Sequence, residues 1–160
     1  MKPAGRDIEC ACAAVRHASR LITQVYEEEL REHLAMPQFA LLSVLDSRPG
    51  CSQTVLARAL DFDKTTLSRN LKLMESKGWI GHAASGDQRE RGYRLTPAGL
   101  KLLKAAKPGW KRAQHRLRSA MTGDQWQAMW RTFDDIRAAA RQVRSLAVVI
   151  PSKPAPRPPL

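Results

Sequence analysis

The chain has 160 residues, with 27 Lys or Arg against 15 Asp or Glu, a formal net charge of +12 and a pI near 10.4. That length is one domain by ordinary size and, at 43% hydrophobic residues, enough to bury a core. No apolar run approaches the ~18 residues of a membrane span, and Lys2 and Arg6 are followed by Asp7 and Glu9 rather than an apolar stretch, so neither a transmembrane helix nor a secretory signal is read and a cytoplasmic protein is expected.

Residues 1–6 read as a flexible N-terminus. From 7 to 34 apolar residues (Ile8, Ala11, Val15, Leu21, Ile22, Val25, Leu30, Leu34) follow the helical period, with a break expected near residue 30. Met36-Pro37-Gln38 opens the next helix, Phe39, Leu41, Leu42, Val44 and Leu45 continue it, and Asp46-Ser47-Arg48-Pro49-Gly50 stops it. Ser52 to Leu60 puts apolar residues at 55, 56, 59 and 60, one face of a short helix that Asp61-Phe62-Asp63 breaks. Asp63 can cap a second helix, Lys64–Lys77, with Leu67, Leu71 and Met74 at helical spacing and Gly78 as its stop. Trp79–Ala83 and Gly92–Thr96 read as strands around a polar loop that begins near Gly86-Asp87.

Thr96-Pro97 then starts a long helix whose inner side carries Leu100, Leu103, Trp110 and Leu117, and Pro108-Gly109 is expected to kink it. Thr122-x-x-Gln125 is a capping box for a last helix, along which Trp126, Met129, Trp130, Phe133, Ile136, Ala140, Val143 and Leu146 form one stripe. A terminal helix this apolar on one side needs a partner, and a second copy of the chain is the simplest one. Residues 147–160, with five Pro in the last ten, read as a disordered tail. The fold class expected is mainly α with a small β-wing: a winged helix-turn-helix at 37–96 and dimerisation helices at 7–34 and 97–146, in one domain over 7–146.

The second helix of a helix-turn-helix fits a DNA major groove. Its outer face here holds Lys64, Thr65, Thr66, Ser68, Arg69, Asn70 and Lys72. Arg can bond a guanine edge through two donors, and a Thr methyl suits the thymine methyl. Arg89 and Arg91 at the hairpin tip can enter the negative minor groove, with Asp87 bonding an Arg to hold the loop in shape. The basic excess is uneven: residues 97–120 hold seven basic side chains (Lys101, Lys104, Lys107, Lys111, Arg112, Arg116, Arg118) and no acidic one, which favours a polyanion partner. An anionic membrane surface is the competing target and ranks below DNA, because no helix joins a basic face to exposed Trp and Phe outside a core stripe; no membrane partner is expected.

No Gly-rich phosphate loop, Gly-x-Ser-x-Gly or His-Glu-x-x-His is present, so no enzyme is expected. Glu27-Glu28-Glu29 with Glu32 reads as an exposed helix face. Three cysteines, Cys10, Cys12 and Cys51, give no disulfide framework and no ligand spacing for zinc; neither cofactor nor metal is expected.

The run Asp63-Lys64-Thr65-Thr66-Leu67-Ser68-Arg69-Asn70-Leu71, then Leu73 to Ile80, the wing signature Asp87-x-Arg89-x-Arg91 and the closing Leu95-Thr96-Pro97-Ala98-Gly99 resemble the winged helix-turn-helix of MarR-type transcriptional regulators. The resemblance extends over about residues 8–146. It implies a homodimer built on the terminal helices, each chain presenting one winged helix to half of a pseudo-palindromic double-stranded operator, and most simply a repressor. It also implies a small-molecule effector, aromatic or phenolic, in a cleft between the dimer helices and the DNA-binding part, for which Tyr26, Leu30, Met36, Phe39 and Trp110 are the candidates. Cys12 to Arg20 is similar to the first-helix segment of the family's organic-hydroperoxide sensors, in which the matching Cys is oxidised and Tyr hydroxyls bond to it. Tyr26 matches one such Tyr, Arg16 or Met36 stands where a second is expected, and the C-terminal half has no resolving Cys. A thiol-based regulator using Cys12 is thus the alternative reading; a non-specific architectural DNA binder and a protein-interaction winged helix are two rivals.

Overall fold

The computed structural model describes residues 10–83 and 91–149; the expectations for the N-terminus, for the wing tip with Asp87 and Arg89, and for the last eleven residues fall outside them. The elements run α1 (Ala11–Leu30), α2 (Met36–Ser47), β1 (Cys51–Ser52), α3 (Gln53–Leu60), α4 (Lys64–Ser76), β2 (Ile80–Ala83), β3 (Gly92–Leu95), α5 (Pro97–Ser119) and α6 (Gly123–Val149). The described residues form two compact units, one up to Leu117 and one from Arg118 onward. Among the described residues no helix is long and apolar enough to cross a membrane.

The first unit is built around a core of leucines. Leu30, Leu41, Leu42, Leu45, Leu56, Leu67 and Leu103, with Met74, are fully buried, so α1, α2, α3, α4 and α5 all contribute to one apolar cluster. The first helix ends at Leu30, where the break was expected: the amides of His33 and Leu34 both donate to the Leu30 carbonyl, closing a turn that buries Leu34 and leads the chain into α2. Gln38 caps α2 by accepting from the Ala35 amide at 3.2 Å.

The sheet has three strands in the order β1-β3-β2, all antiparallel. The hairpin was expected; the third strand was not. Cys51 pairs with Tyr93 and Ser52 with Gly92, which joins the start of α3 to the returning strand of the wing. Two residues are too few to show a period, so only the pairing reveals the strand.

The α5 helix runs without interruption through Pro108. The neighbouring Gly109 serves contact rather than a kink. A Cβ built there would collide with the Glu29 carbonyl oxygen and stand 3.2 Å from its carbon, so α5 passes α1 at a distance only glycine permits. Around this crossing Arg112 donates to Glu29 at 2.7 Å, and Arg116 to Glu28 and Glu29 at 3.2 and 3.0 Å. Lys107 pairs with Asp46 at 3.2 Å. Three of the seven basic side chains of 97–120 are thus partnered by acids of α1 and α2, and the acidic run in α1 is a packing face for α5.

The second unit is dominated by α6. Its capping box forms as expected, with the Thr122 amide donating to Gln125 Oε1 at 2.9 Å and the Gln125 amide to Thr122 Oγ1 at 3.2 Å. Trp126, Trp130 and Phe133 stack edge to face along it, with centroids 5.8 and 6.3 Å apart, and the Arg118 guanidinium lies over the Trp126 ring. Trp130 is 48% exposed and Val143 67%. The helix extends to Val149, into the stretch expected to be tail.

Candidate nucleic-acid interface

The geometry of α4 begins with its cap. Asp63 Oδ1 accepts from the amides of Thr65 and Thr66 at 2.9 and 2.8 Å, and the Thr66 hydroxyl donates to the same carboxylate. The turn before it bends at Asp61, whose φ of 51° is left-handed, a conformation that the short polar side chain of Asp tolerates better than most. At the other end Gly78, at φ 67°, closes the helix. Leu67, Leu71 and Met74 are buried, so the opposite side of the helix is presented to solvent.

That outer side holds the expected residues in three different situations. Lys64, Thr65, Arg69 and Lys72 are exposed. Ser68 is half-buried. Thr66 and Asn70 are half-buried and already engaged: the Thr66 hydroxyl in the cap, the Asn70 amide in a bond to the Thr66 carbonyl at 2.9 Å. Arg91 is exposed at the base of the wing.

Sequence reasoning missed the braces that hold this surface. His82 Nε2 lies 3.1 Å from Glu75 Oε1, linking β2 to the last turn of α4, and its ring packs on Tyr93 with centroids 5.4 Å apart. Thr96 Oγ1 donates to the Gly78 carbonyl at 2.6 Å and accepts from the Gly99 amide at 3.1 Å, so one hydroxyl both starts α5 and fastens the end of α4. Gly99 packs directly on the Trp79 carbonyl. The Leu-Thr-Pro-Ala-Gly signature is therefore a clamp on the end of α4. A Thr three residues before a Gly at a strand-to-helix junction was its visible trace.

Tyr26, Leu30 and Phe39 are buried in the core, with Met36 and Trp110 packed against it; the Phe39 and Trp110 rings stack at 6.0 Å. Burial pushes the Tyr26 hydroxyl pKa up. Cys12 is exposed, as is Cys10. Fourteen residues of α1 separate Cys12 from Tyr26, about 21 Å along a helix, so within one chain the two do not meet.

The Asp63 carboxyl is held below its ordinary range, first by the Thr66 hydroxyl and then by the backbone amides of Thr66 and Thr65. The Glu29 carboxyl is lowered by Arg112 and then Arg116. A depressed folded-state pKa contributes stability that is present above the ordinary carboxylate range and lost as pH falls through the lowered value. We expect stability to be level from neutral pH to about 5 and to decline below about 4. Asp63→Ala should lower the thermal midpoint by about 2–4 °C at pH 7 and flatten part of the acid decline. An unchanged midpoint would mean the cap contributes nothing.

These features fit what comparison with known proteins finds. The MarR family profile matches residues 34–90. The transcriptional regulator HosA of Escherichia coli O157:H7 is 36% identical over 88 residues, 54% of this chain and 64% of HosA, so the match spans under two thirds of that relative. The transcriptional regulator MosR of Mycobacterium tuberculosis, in a crystal structure with DNA, is 33% identical, superposes with a TM-score of 0.73 and covers 85% of this chain and 99% of its own. The repressor CouR, bound to a 23-mer duplex, is 25% identical with a TM-score of 0.71, over 81% of this chain and 93% of that one. The chain belongs to the MarR family of winged-helix transcriptional regulators.

Proposed function

We propose that this regulator is a sequence-specific, homodimeric DNA-binding repressor, released from a pseudo-palindromic operator by a small-molecule effector. The observation that carries the reading is the α4 surface, a capped helix with Leu67, Leu71 and Met74 buried and Lys64, Thr65, Arg69 and Lys72 turned to solvent. In this reading Lys64, Thr65, Thr66, Ser68 and Arg69 face base edges, Asn70 and Lys72 touch phosphate, and Arg91 with Arg89 anchors the wing in the minor groove, steadied by Asp87. The bonds of Thr66 and Asn70 within the helix assign them mainly to shape. Thr65 and Arg69 are then the principal readers.

A second copy covers the exposed stripe of α6. The effector sits where Tyr26, Leu30, Met36, Phe39 and Trp110 converge, with the protonated Tyr26 hydroxyl available as a donor. Its binding changes DNA affinity through a coupling free energy between the two sites. The thiol alternative has support in the exposure of Cys12, but a Tyr26 hydroxyl could reach it only from a second copy.

The test is fluorescence anisotropy on the upstream intergenic DNA against a scrambled duplex at about 150 mM salt. Wild type should prefer its own DNA by about a hundredfold or more. Arg69→Ala should cost about 1–3 kcal/mol and relax preference at one base pair. A uniform loss across sequences would make Arg69 a phosphate contact, and equal weak binding of wild type to both duplexes would favour an architectural binder.

A further inference from the structure

A cavity of about 660 Å³ opens between α3, the first turn of α4 and β3, lined by none of the effector candidates above. Its apolar wall is Ala57 and Tyr93, with the fully buried Leu67 behind them, and its cations are Arg58, Lys64 and Arg91. Among the described residues no carboxylate lines it and none of the three cations is in an ion pair. Its size lies within the roughly 300–1,000 Å³ of small-molecule sites.

A phosphate of duplex DNA needs cations on an open surface and makes no use of an apolar recess behind them. An apolar wall ending in the Tyr93 ring suits a planar hydrophobic body. Three cations around one recess suit more than one negative charge, and a phosphate monoester, with its second pKa near 6, is mostly a dianion at neutral pH. We propose that this cavity binds an aromatic phosphate monoester, its ring against Ala57 and Tyr93 and its phosphate among Arg58, Lys64 and Arg91, and that the bound ester competes with DNA for Lys64 and Arg91. The competition rests on the DNA-binding reading; the binding itself does not.

Calorimetry on the full chain without DNA separates the two. Titrated with 2-naphthyl phosphate, 2-naphthol and inorganic phosphate, the protein should bind the first, and the other two at least about tenfold more weakly. Ala57→Leu, which fills the recess, and Arg58→Gln, which removes a cation on the α3 side, should each weaken naphthyl phosphate about tenfold, with thermal midpoints confirming that the variants fold. Inorganic phosphate binding as tightly as the ester would reduce the site to a plain phosphate contact and overturn the proposal. So would an ester affinity that both folded variants leave unchanged, since the ligand would then sit elsewhere. In anisotropy, the ester should raise the apparent Kd for duplex in proportion to its concentration. Ester binding without any duplex binding would sink the regulator reading and leave the site standing; duplex binding without ester binding would do the reverse.

Discussion

In the proposed homodimer, Trp130→Glu should separate the two copies and weaken binding to a two-half-site duplex by about a hundredfold or more. Trp130 lies midway in the edge-to-face run Trp126, Trp130, Phe133, yet is 48% exposed. A Trp covered on association removes a large apolar area from water, and the centre of such a patch is where binding energy concentrates. A carboxylate in its place must either be desolvated without a partner or keep the faces apart. The DNA effect follows from linkage. Two recognition helices joined in one dimer bind the second half-site as an intramolecular event, and a monomer loses that advantage while keeping its affinity for one half-site. Light scattering reads the mass, and anisotropy on full and half sites reads the linkage. A variant that stays dimeric would show that the aromatic run is not the dimer contact. A folded monomer that still binds the full site as tightly would remove dimerisation from DNA recognition.

Gly99→Ala should cost about 3 kcal/mol or more, lowering the thermal midpoint by roughly 6–12 °C. The new methyl would collide with the Trp79 carbonyl oxygen and stand 2.9 Å from its carbon. Backbone cannot swing aside as a long side chain does, and this carbonyl also accepts from the Thr96 amide at 3.1 Å. Relief of the clash would therefore loosen the clamp on Gly78 and with it the end of α4. Gly123→Ala is the control: nothing lies within 4 Å of the added atom, and the midpoint should hold or rise slightly. If Gly99→Ala melts with the wild type, the close approach is not a constraint on the fold.

What could be read from the chain beforehand was whatever acts over a few residues. Asp63 before Lys64, Gly78 after the helix and Thr122 three before Gln125 satisfy backbone groups within one turn, so their positions alone announced the caps. The α4 face was legible for the same reason, since three buried residues at helical spacing define the exposed side. What depends on distant partners was not. β1 exists because Tyr93 and Gly92 return to meet Cys51 and Ser52. The acids of α1 looked like a solvated face because their arginines stand more than 80 residues away. Pro108-Gly109 looked like a kink because local punctuation is the same whether a glycine bends its own helix or admits another. The three cations around the α3–α4 cavity come from α3, the start of α4 and the residue before β3, and no single segment shows them together.

That glycine has a mechanical consequence. Where α5 crosses α1 at Gly109 the backbones touch, so the helices can neither close further nor slide past one another without losing the contact with the Glu29 carbonyl. Rotation about the contact is the motion left to them, and the long, exposed arms of Arg112 and Arg116 can follow a small rotation without releasing Glu28 and Glu29. The crossing is a fulcrum. A displacement of α1 on one side of it would be returned on the other as a swing of α5 and of the clamp at its first turn, carrying the end of α4 with it.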